Sequence, residues 1–438
     1  MGLRIRDNSD YSKSKFEEIL NLTKRIADKT LSELEREGIF VFPETVKDAE
    51  DIDGAQKILE SKSDCYHTGN VMGFLGIGDE RLTIASRFGG EHDFLFWYLL
   101  EKVMAFPNLA DLKIDADANA RLFQLLLFLF PAYLQAAMRK GVYKEYIRRA
   151  YNDGHVSGVI DVARHIKKNT PCIGKIAYSR REFSYDNALM ELVRHTIEFI
   201  KRKPYGHVLL AKVKEEVKLV IRATPSYVMG ERREIAELNQ KNAVRHAYFR
   251  EYGALQRLCL LILGNEKHQI GIGERHIYGI LFDGAWLWEE YAERLLGDAF
   301  YHPKNKAREG HQYLFAGNHG EIYPDFIGRG MPRVIADAKY KPLKNIGKKD
   351  YWQMLAYMFR FEAKTGYFLY PEAGGESDAE LFLNRGTTYE KNVVPRGDIR
   401  VVKHGLKIPQ DASHYDDFAR EMKVREEEFV RILLQGKR

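Results

Sequence analysis

The chain has 438 residues, 45% hydrophobic and 30% charged, enough to bury the cores of two or three domains and ordinary for a globular protein. The net charge of +6 suits nucleic acid without demanding it, and three scattered cysteines exclude a disulfide framework and structural zinc, so the expected setting is the reducing cytoplasm. The first residues, Met1 to Arg6, lack the apolar core of a signal peptide.

In chain order, residues 1 to about 40 read as helical, and Asp48 to Asp53 as a solvated acidic run. Val71–Gly78 and Arg81–Phe88 read as a Gly-rich β-hairpin turning at Gly78-Asp79-Glu80. Helical periodicity runs from Phe94 to Ile147. Its most apolar part, Leu122 to Met138, is interrupted by Gln124, Pro131 and Gln135 and is short for a bilayer, so it reads as a buried, kinked helix. An amphipathic helix is expected from Ala188 to Lys201, and residues 207–266 read as helical with breaks at Thr224-Pro225 and Gly230. No Walker A pattern occurs anywhere.

The chemistry gathers between residues 283 and 370. Arg333 to Tyr340 is a β-branched, apolar run containing Asp337-Ala338-Lys339; positions i and i+2 of a strand share a face, so the carboxylate and the ammonium project together. Val334, Ile335 and Ala336 make this a buried strand, where unpaired charge is costly. Asp325 falls on a preceding strand, Glu321 to Gly328, joined through the turn Arg329-Gly330-Met331-Pro332. Pairing these strands would unite two carboxylates and a lysine, a donor set that suits Mg²⁺ (or Mn²⁺) and phosphodiester hydrolysis. Asp283 is placed to cap a helix carrying Trp286, Trp288, Glu289 and Glu290; Glu289, with Ala285, Ala292 and Leu296 as helical neighbours, is the better inward-facing acid, although Glu290 rivals it. A helix from Asp350 to Glu362 carries Gln353 and Tyr357 at i and i+4. His302, His311 and His319 read as turn and surface residues, the two tryptophans as core, and Lys341, Lys344, Lys348 and Lys349 as phosphate contacts.

This region resembles the PD-(D/E)xK nucleases, with Gln-x-x-x-Tyr as in their RecB-like members. The order helix, strand (about His311 to Phe315), strand, strand, helix, strand (Gly366 to Tyr370) is similar to their αβββαβ core. Gly158-Val159-Ile160-Asp161 with Arg181 to Asn187, and Leu281 to Tyr291, resemble McrC, the nuclease subunit of McrBC-type restriction systems; Gly78 to Ile84 with Ser86-Arg87-Phe88 is similar to its LlaJI-like relatives. The resemblance implies catalytic Asp325, Asp337 and Lys339, with Glu289 as the upstream acid and Gln353 beside them; metal ligands Asp325, Asp337 and Glu289; double-stranded DNA as substrate; and a McrB-like AAA+ GTPase as partner. The expected fold is a multidomain α+β or α/β protein. It comprises a mixed, partner-docking N-terminal domain (1–145), a mainly helical middle domain (146–274) and a nuclease domain with a C-terminal helix (275–438). A RecB-like repair exonuclease and a catalytically silent DNA-binding scaffold are the alternatives.

Overall fold

Strand Tyr278–Asp283 lies between Val71–Ile77, antiparallel to it, and Phe40–Phe42, parallel to it, although some two hundred residues separate it from either. The hairpin partner Glu80–Ala85 and the parallel edge strand Gly2–Arg6 complete a five-stranded sheet. The computed structural model describes residues 2–37, 39–42, 56–104, 118–203, 205–244, 246–264, 277–303, 311–375, 378–386 and 393–435; the acidic run Asp48–Asp53 lies outside them. The chain forms two compact units, Met1–Asp115 with Glu274–Arg438, and Ala116–Gly273. The three consecutive segments expected from sequence are thus regrouped, because the strand opening the third of them is built into the sheet of the first.

Residues 1 to about 40 are less helical than their spacing suggested. Leu3-Arg4-Ile5-Arg6 has period two, and Ile5 is the buried member of that strand. The helices Leu20–Ile26 and Leu31–Arg36 then place Leu22, Ile26, Leu31 and Leu34 in one core with Leu75, Ile84 and Leu281. Thr30 and Glu33 form a reciprocal capping box that starts the second helix.

A six-stranded sheet occupies the C-terminal part of the same unit, in the order Phe300–Tyr301, Phe326–Gly328, Val334–Ala338, Thr365–Glu372, Pro395–Lys407, Ala379–Asn384. Val334–Ala338 runs parallel to Thr365–Glu372 and antiparallel to Phe326–Gly328. Residues 366–372 are all buried, the continuous pattern of a strand covered on both faces. Helix Lys348–Arg360 sets Met354 and Met358 against this strand so closely that a Cβ on Gly366 would lie 2.6 Å from the Met354 sulfur. Helix Gly284–Leu296 is tied to it through Trp288, a core residue as expected, whose Nε1 donates to the Leu369 carbonyl at 3.0 Å. The C-terminal helix Tyr415–Gln435 packs here too, its Glu426 accepting a hydrogen bond from Tyr98 Oη at 2.7 Å.

Two details depart from the expected αβββαβ layout. Among the described residues, Gln312–Phe315 pairs with His319–Ile322 alone, in a separate two-stranded sheet. The single strand expected from Glu321 to Gly328 is broken at Tyr323-Pro324-Asp325 into pieces belonging to different sheets. Pro324 has no N–H to give to a ladder, so a break there is natural.

The second unit opens with helix Ala118–Met138, which contains Pro131 and buries residues 125–130. Among the described residues no helix is long and apolar enough to cross a membrane. Where helix was expected up to Ile147, Glu145–Asp153 is a strand, pairing antiparallel with Ile176–Ser184, which in turn pairs with Val159–Ile160. Its alternating burial is that of a half-buried strand, a period masked in sequence by charges at both ends. Asp161 caps helix Val162–Asn169 and Asn187 caps Ala188–Lys201, which accounts for two of the polar residues in the McrC-like blocks. The rest of the unit is helical, at Gly206–Ala211, Lys214–Ala223, Arg232–Lys241 and Arg250–Gly264.

Asp7, just after the first strand, is fully buried, and burial pushes its pKa up to about 6 against the opposing Arg87 guanidinium. Below the unfolded value of 3.8 both states hold the proton and the residue costs nothing. As pH rises from there to about 6 the unfolded chain ionises first, so stability falls through that window, by about 3 kcal/mol in all. Urea unfolding at pH 4 and pH 7 should show this fall shrinking in Asp7→Asn; an equal fall in the variant would refute the assignment.

Candidate active site

Asp337 stands near the end of the buried strand Val334–Ala338 and is 1% exposed. Its Oδ2 lies 2.5 Å from Lys339 Nζ, yet neither carboxylate oxygen accepts a well-formed hydrogen bond. Asp325 sits in the bend before Phe326–Gly328, and the pairing of Phe326 with Ala336 brings it alongside. Its Oδ2 accepts the Ala338 N–H at 2.8 Å, which fixes one oxygen against the neighbouring strand. Burial, then the Asp337 and Glu289 carboxylates, hold the Asp325 carboxyl well above the usual range, against the opposing pull of Lys339.

The ammonium of Lys339 is surrounded in the complementary way. Burial would depress its pKa, but Asp337 and Asp325 more than offset this and raise it, so the group remains a cation across the physiological range. Gln353 Oε1 accepts from Lys339 Nζ at 3.3 Å, and Asp350 Oδ1 lies 3.8 Å away. Gln353 Nε2 donates to Tyr357 Oη at 2.6 Å, and Tyr357 Oη donates to the Tyr323 carbonyl at 3.0 Å. One helical i, i+4 pair thus orients the lysine and anchors the bend that presents Asp325.

Helix Gly284–Leu296 supplies the third acid. Asp283 caps it as expected, accepting the Trp286 N–H at 2.8 Å. Glu290 accepts from Trp286 Nε1 at 3.0 Å along the helix, whereas Glu289 is the carboxylate near enough to Asp325 to raise its pKa.

The structure brings together Asp325, Asp337, Lys339 and Gln353, with Glu289 within electrostatic range of Asp325. Among the described residues no three Asp, Glu, His or Cys side chains stand close enough to enclose a metal ion as they are arranged. The donors are nevertheless of the right kind, hard oxygens with the two Asp337 oxygens buried and lacking hydrogen bonds.

His302, expected at a turn or on the surface, belongs to this site. Its Nδ1 donates to the Asp325 carbonyl at 2.7 Å, its ring stacks on Phe326, and its Nε2 is 3.7 Å from Glu289 Oε1. It follows the two-residue edge strand Phe300–Tyr301, too short to leave a periodic signal. Lys341, expected to be free for phosphate, is held by both oxygens of Asp350 at 2.8 Å. Lys344, Lys348 and Lys349 are exposed, with the Lys348 ammonium 4.9 Å above the Trp352 ring.

No curated protein matches this chain in sequence. Two solved structures are similar. A refined half-complex from a tetradecameric assembly of Thermococcus gammatolerans McrB AAA+ hexamers with bound McrC matches at 16% identity and a TM-score of 0.46, covering 97% of this chain and all of that one. The cryo-EM structure of the Thermococcus gammatolerans McrBC complex matches at 17% identity and a TM-score of 0.30, covering 70% of this chain and 93% of that one. Residues 66–371, well over half of the chain, match the family model described as McrBC 5-methylcytosine restriction system component. The chain belongs to the McrBC family.

Proposed function

We propose that this protein is the McrC-like nuclease subunit of a McrBC-type restriction system. It hydrolyses DNA phosphodiester bonds with Mg²⁺ or Mn²⁺ when assembled with a McrB-like AAA+ GTPase. The observation that carries this reading is the convergence of Asp325, Asp337, Lys339 and Gln353 on the ends of two paired strands and one helix.

Asp325 and Asp337, with Glu289 behind them, would hold the cation once the Lys339 ammonium moves off Asp337 Oδ2. A bound divalent cation supplies activation of water and neutralisation of phosphoryl charge. Lys339, its pKa raised, acts as a fixed positive charge for the scissile phosphate and its attacking water rather than as a base. Gln353 limits the swing of that ammonium, and the Tyr357 hydroxyl keeps the Tyr323–Asp325 bend from moving away. Lys344, Lys348 and Lys349, exposed beside the site, contact phosphates on either side of the cleaved bond.

Docking of the GTPase is assigned to segment 1–145, and surface substitutions there are the proper test, because its strands also pair with Tyr278–Asp283. The sequence offers no helix-turn-helix or zinc-finger pattern with which to read bases, so alone the protein should nick DNA poorly and without sequence preference. In an assay on supercoiled plasmid, nicking should require Mg²⁺ or Mn²⁺, stop with EDTA, and rise on adding the GTPase and GTP. Efficient site-dependent cutting by the isolated chain, or cutting that survives EDTA, would overturn the reading.

A further inference from the structure

The strand bearing Asp337 ends at Ala338, so Lys339 stands where regular pairing stops. Its N–H still donates to the Leu369 carbonyl at 2.8 Å, and its own carbonyl accepts the Lys341 N–H at 2.8 Å. Lys339 and Lys341 both approach Asp350, while Tyr340 between them turns the other way, towards residues 86–88 of the same unit. There Tyr340 is 5% exposed, its hydroxyl 2.7 Å from Ser86 Oγ and its ring edge-on to Phe88. Only glycine fits at position 284 beside it, since a Cβ there would lie 2.6 Å from the ring.

The backbone of Tyr340 is gripped as well. The Arg87 guanidinium lies over the Tyr340 ring, 4.6 Å from its centre, and Nη2 donates to the Tyr340 carbonyl. Arg87 is itself fixed by Asp7, whose Oδ2 is 2.9 Å from Nη1 and whose Oδ1 accepts the Arg87 N–H at 2.6 Å. This ion pair is almost wholly buried, with the Asp7 side chain fully covered. Burying such a pair is a weak way to gain stability, and apolar packing would serve a purely structural need as well. What the pair does achieve is geometric, because it fixes one peptide next to the lysine of the proposed site.

We propose that Arg87 is a positioning residue for Lys339. Oriented by Asp7, it holds the Tyr340 carbonyl and so sets how far the Lys339 ammonium reaches towards Asp337 and Gln353. The proposal rests on the nuclease reading above, in which Lys339 meets the scissile phosphate. Misplacing such a group by about 1 Å costs on the order of 10²-fold in rate.

The test uses the full-length chain with supercoiled plasmid and Mn²⁺, and lysine acylation by acetic anhydride read by mass spectrometry. The paired variant Asp7→Asn/Arg87→Met removes both charges together, leaving none orphaned, and Arg87→Lys keeps the charge while losing the fork. In either variant that melts cooperatively, the saturating nicking rate should fall, by about 10²-fold in the paired variant and less in Arg87→Lys. The DNA concentration for half-maximal rate should stay unchanged. Acylation of Lys339 should rise severalfold while that of Lys344, Lys348 and Lys349 stays level, a selective change that general loosening would not give. A folded variant with wild-type nicking and wild-type Lys339 acylation would overturn the proposal. If wild type and Asp337→Ala nick alike, the nuclease reading itself fails, and the acylation pattern still decides whether Arg87 positions Lys339.

Discussion

Asp337→Asn should reduce DNA cleavage by about 10³-fold or more, the scale of losing a main electrostatic group of an active site, while leaving the protein at least as stable as wild type in EDTA. The two halves of this expectation share one cause. Asp337 is buried to 1% exposure with neither oxygen satisfied by a hydrogen bond, and its charge helps hold the Asp325 carboxyl far above its ordinary pKa. Without a metal ion two buried carboxylates crowd the single Lys339 ammonium, their mutual repulsion raising the Asp325 pKa, and asparagine relieves it while keeping the shape. Sites that bind charge are commonly kept at a cost in stability. Thermal melting in EDTA together with nicking rates at saturating Mg²⁺ measures both quantities. A variant that still cuts at a wild-type rate would remove Asp337 from the chemistry; one that loses activity only by unfolding would remove the argument about stored repulsion.

The second large effect is on folding. A fragment of residues 274–438, lacking the N-terminal strands, should not fold cooperatively, whereas residues 116–273 alone should. Ile280, Leu281 and Phe282 are each 0% exposed, covered by a sheet whose other members all come from the first 85 residues. Uncovering three such side chains costs roughly 5–9 kcal/mol, comparable with the whole stability of about 5–15 kcal/mol typical of a domain. Tyr340 would lose Ser86 and Arg87 in the same cut. Urea unfolding followed by circular dichroism distinguishes the cases. A sharp transition and cation-dependent nicking in the 274–438 fragment would show that the six-stranded sheet stands without the N-terminal one.

What could be read from sequence follows the range over which each signal acts. Asp337 and Lys339 share a face by the two-residue period of one strand, and Gln353 with Tyr357 by the four-residue period of one helix. Asp283 announces a helix start three residues before the N–H it accepts. The sequence also placed Asp325 beside Asp337, although the strand expected around it is interrupted by Pro324. His302 reaches the site from a two-residue strand, and Arg87 meets Tyr340 across more than 250 residues of sequence; neither leaves a local pattern. The parallel edge strand Gly2–Arg6 was lost in the same way, since its partner begins at Glu80 and only five residues alternate.

The Tyr278–Asp283 strand also dictates an order of events on the ribosome. The first sheet cannot be completed until residue 283 has been made, yet its hairpin Val71–Ile77/Glu80–Ala85 is finished about two hundred residues earlier. At about 5–20 residues per second that interval is roughly 10–40 s. For all of it the Val71–Ile77 strand has a bare edge on the side that Tyr278–Asp283 later takes, the kind of template that recruits other chains. The uninterrupted segment Ala116–Gly273 needs no such wait. Synthesis therefore yields the inserted unit first and the unit containing both chain ends last, which makes the early hairpin the part of this protein most in need of a chaperone.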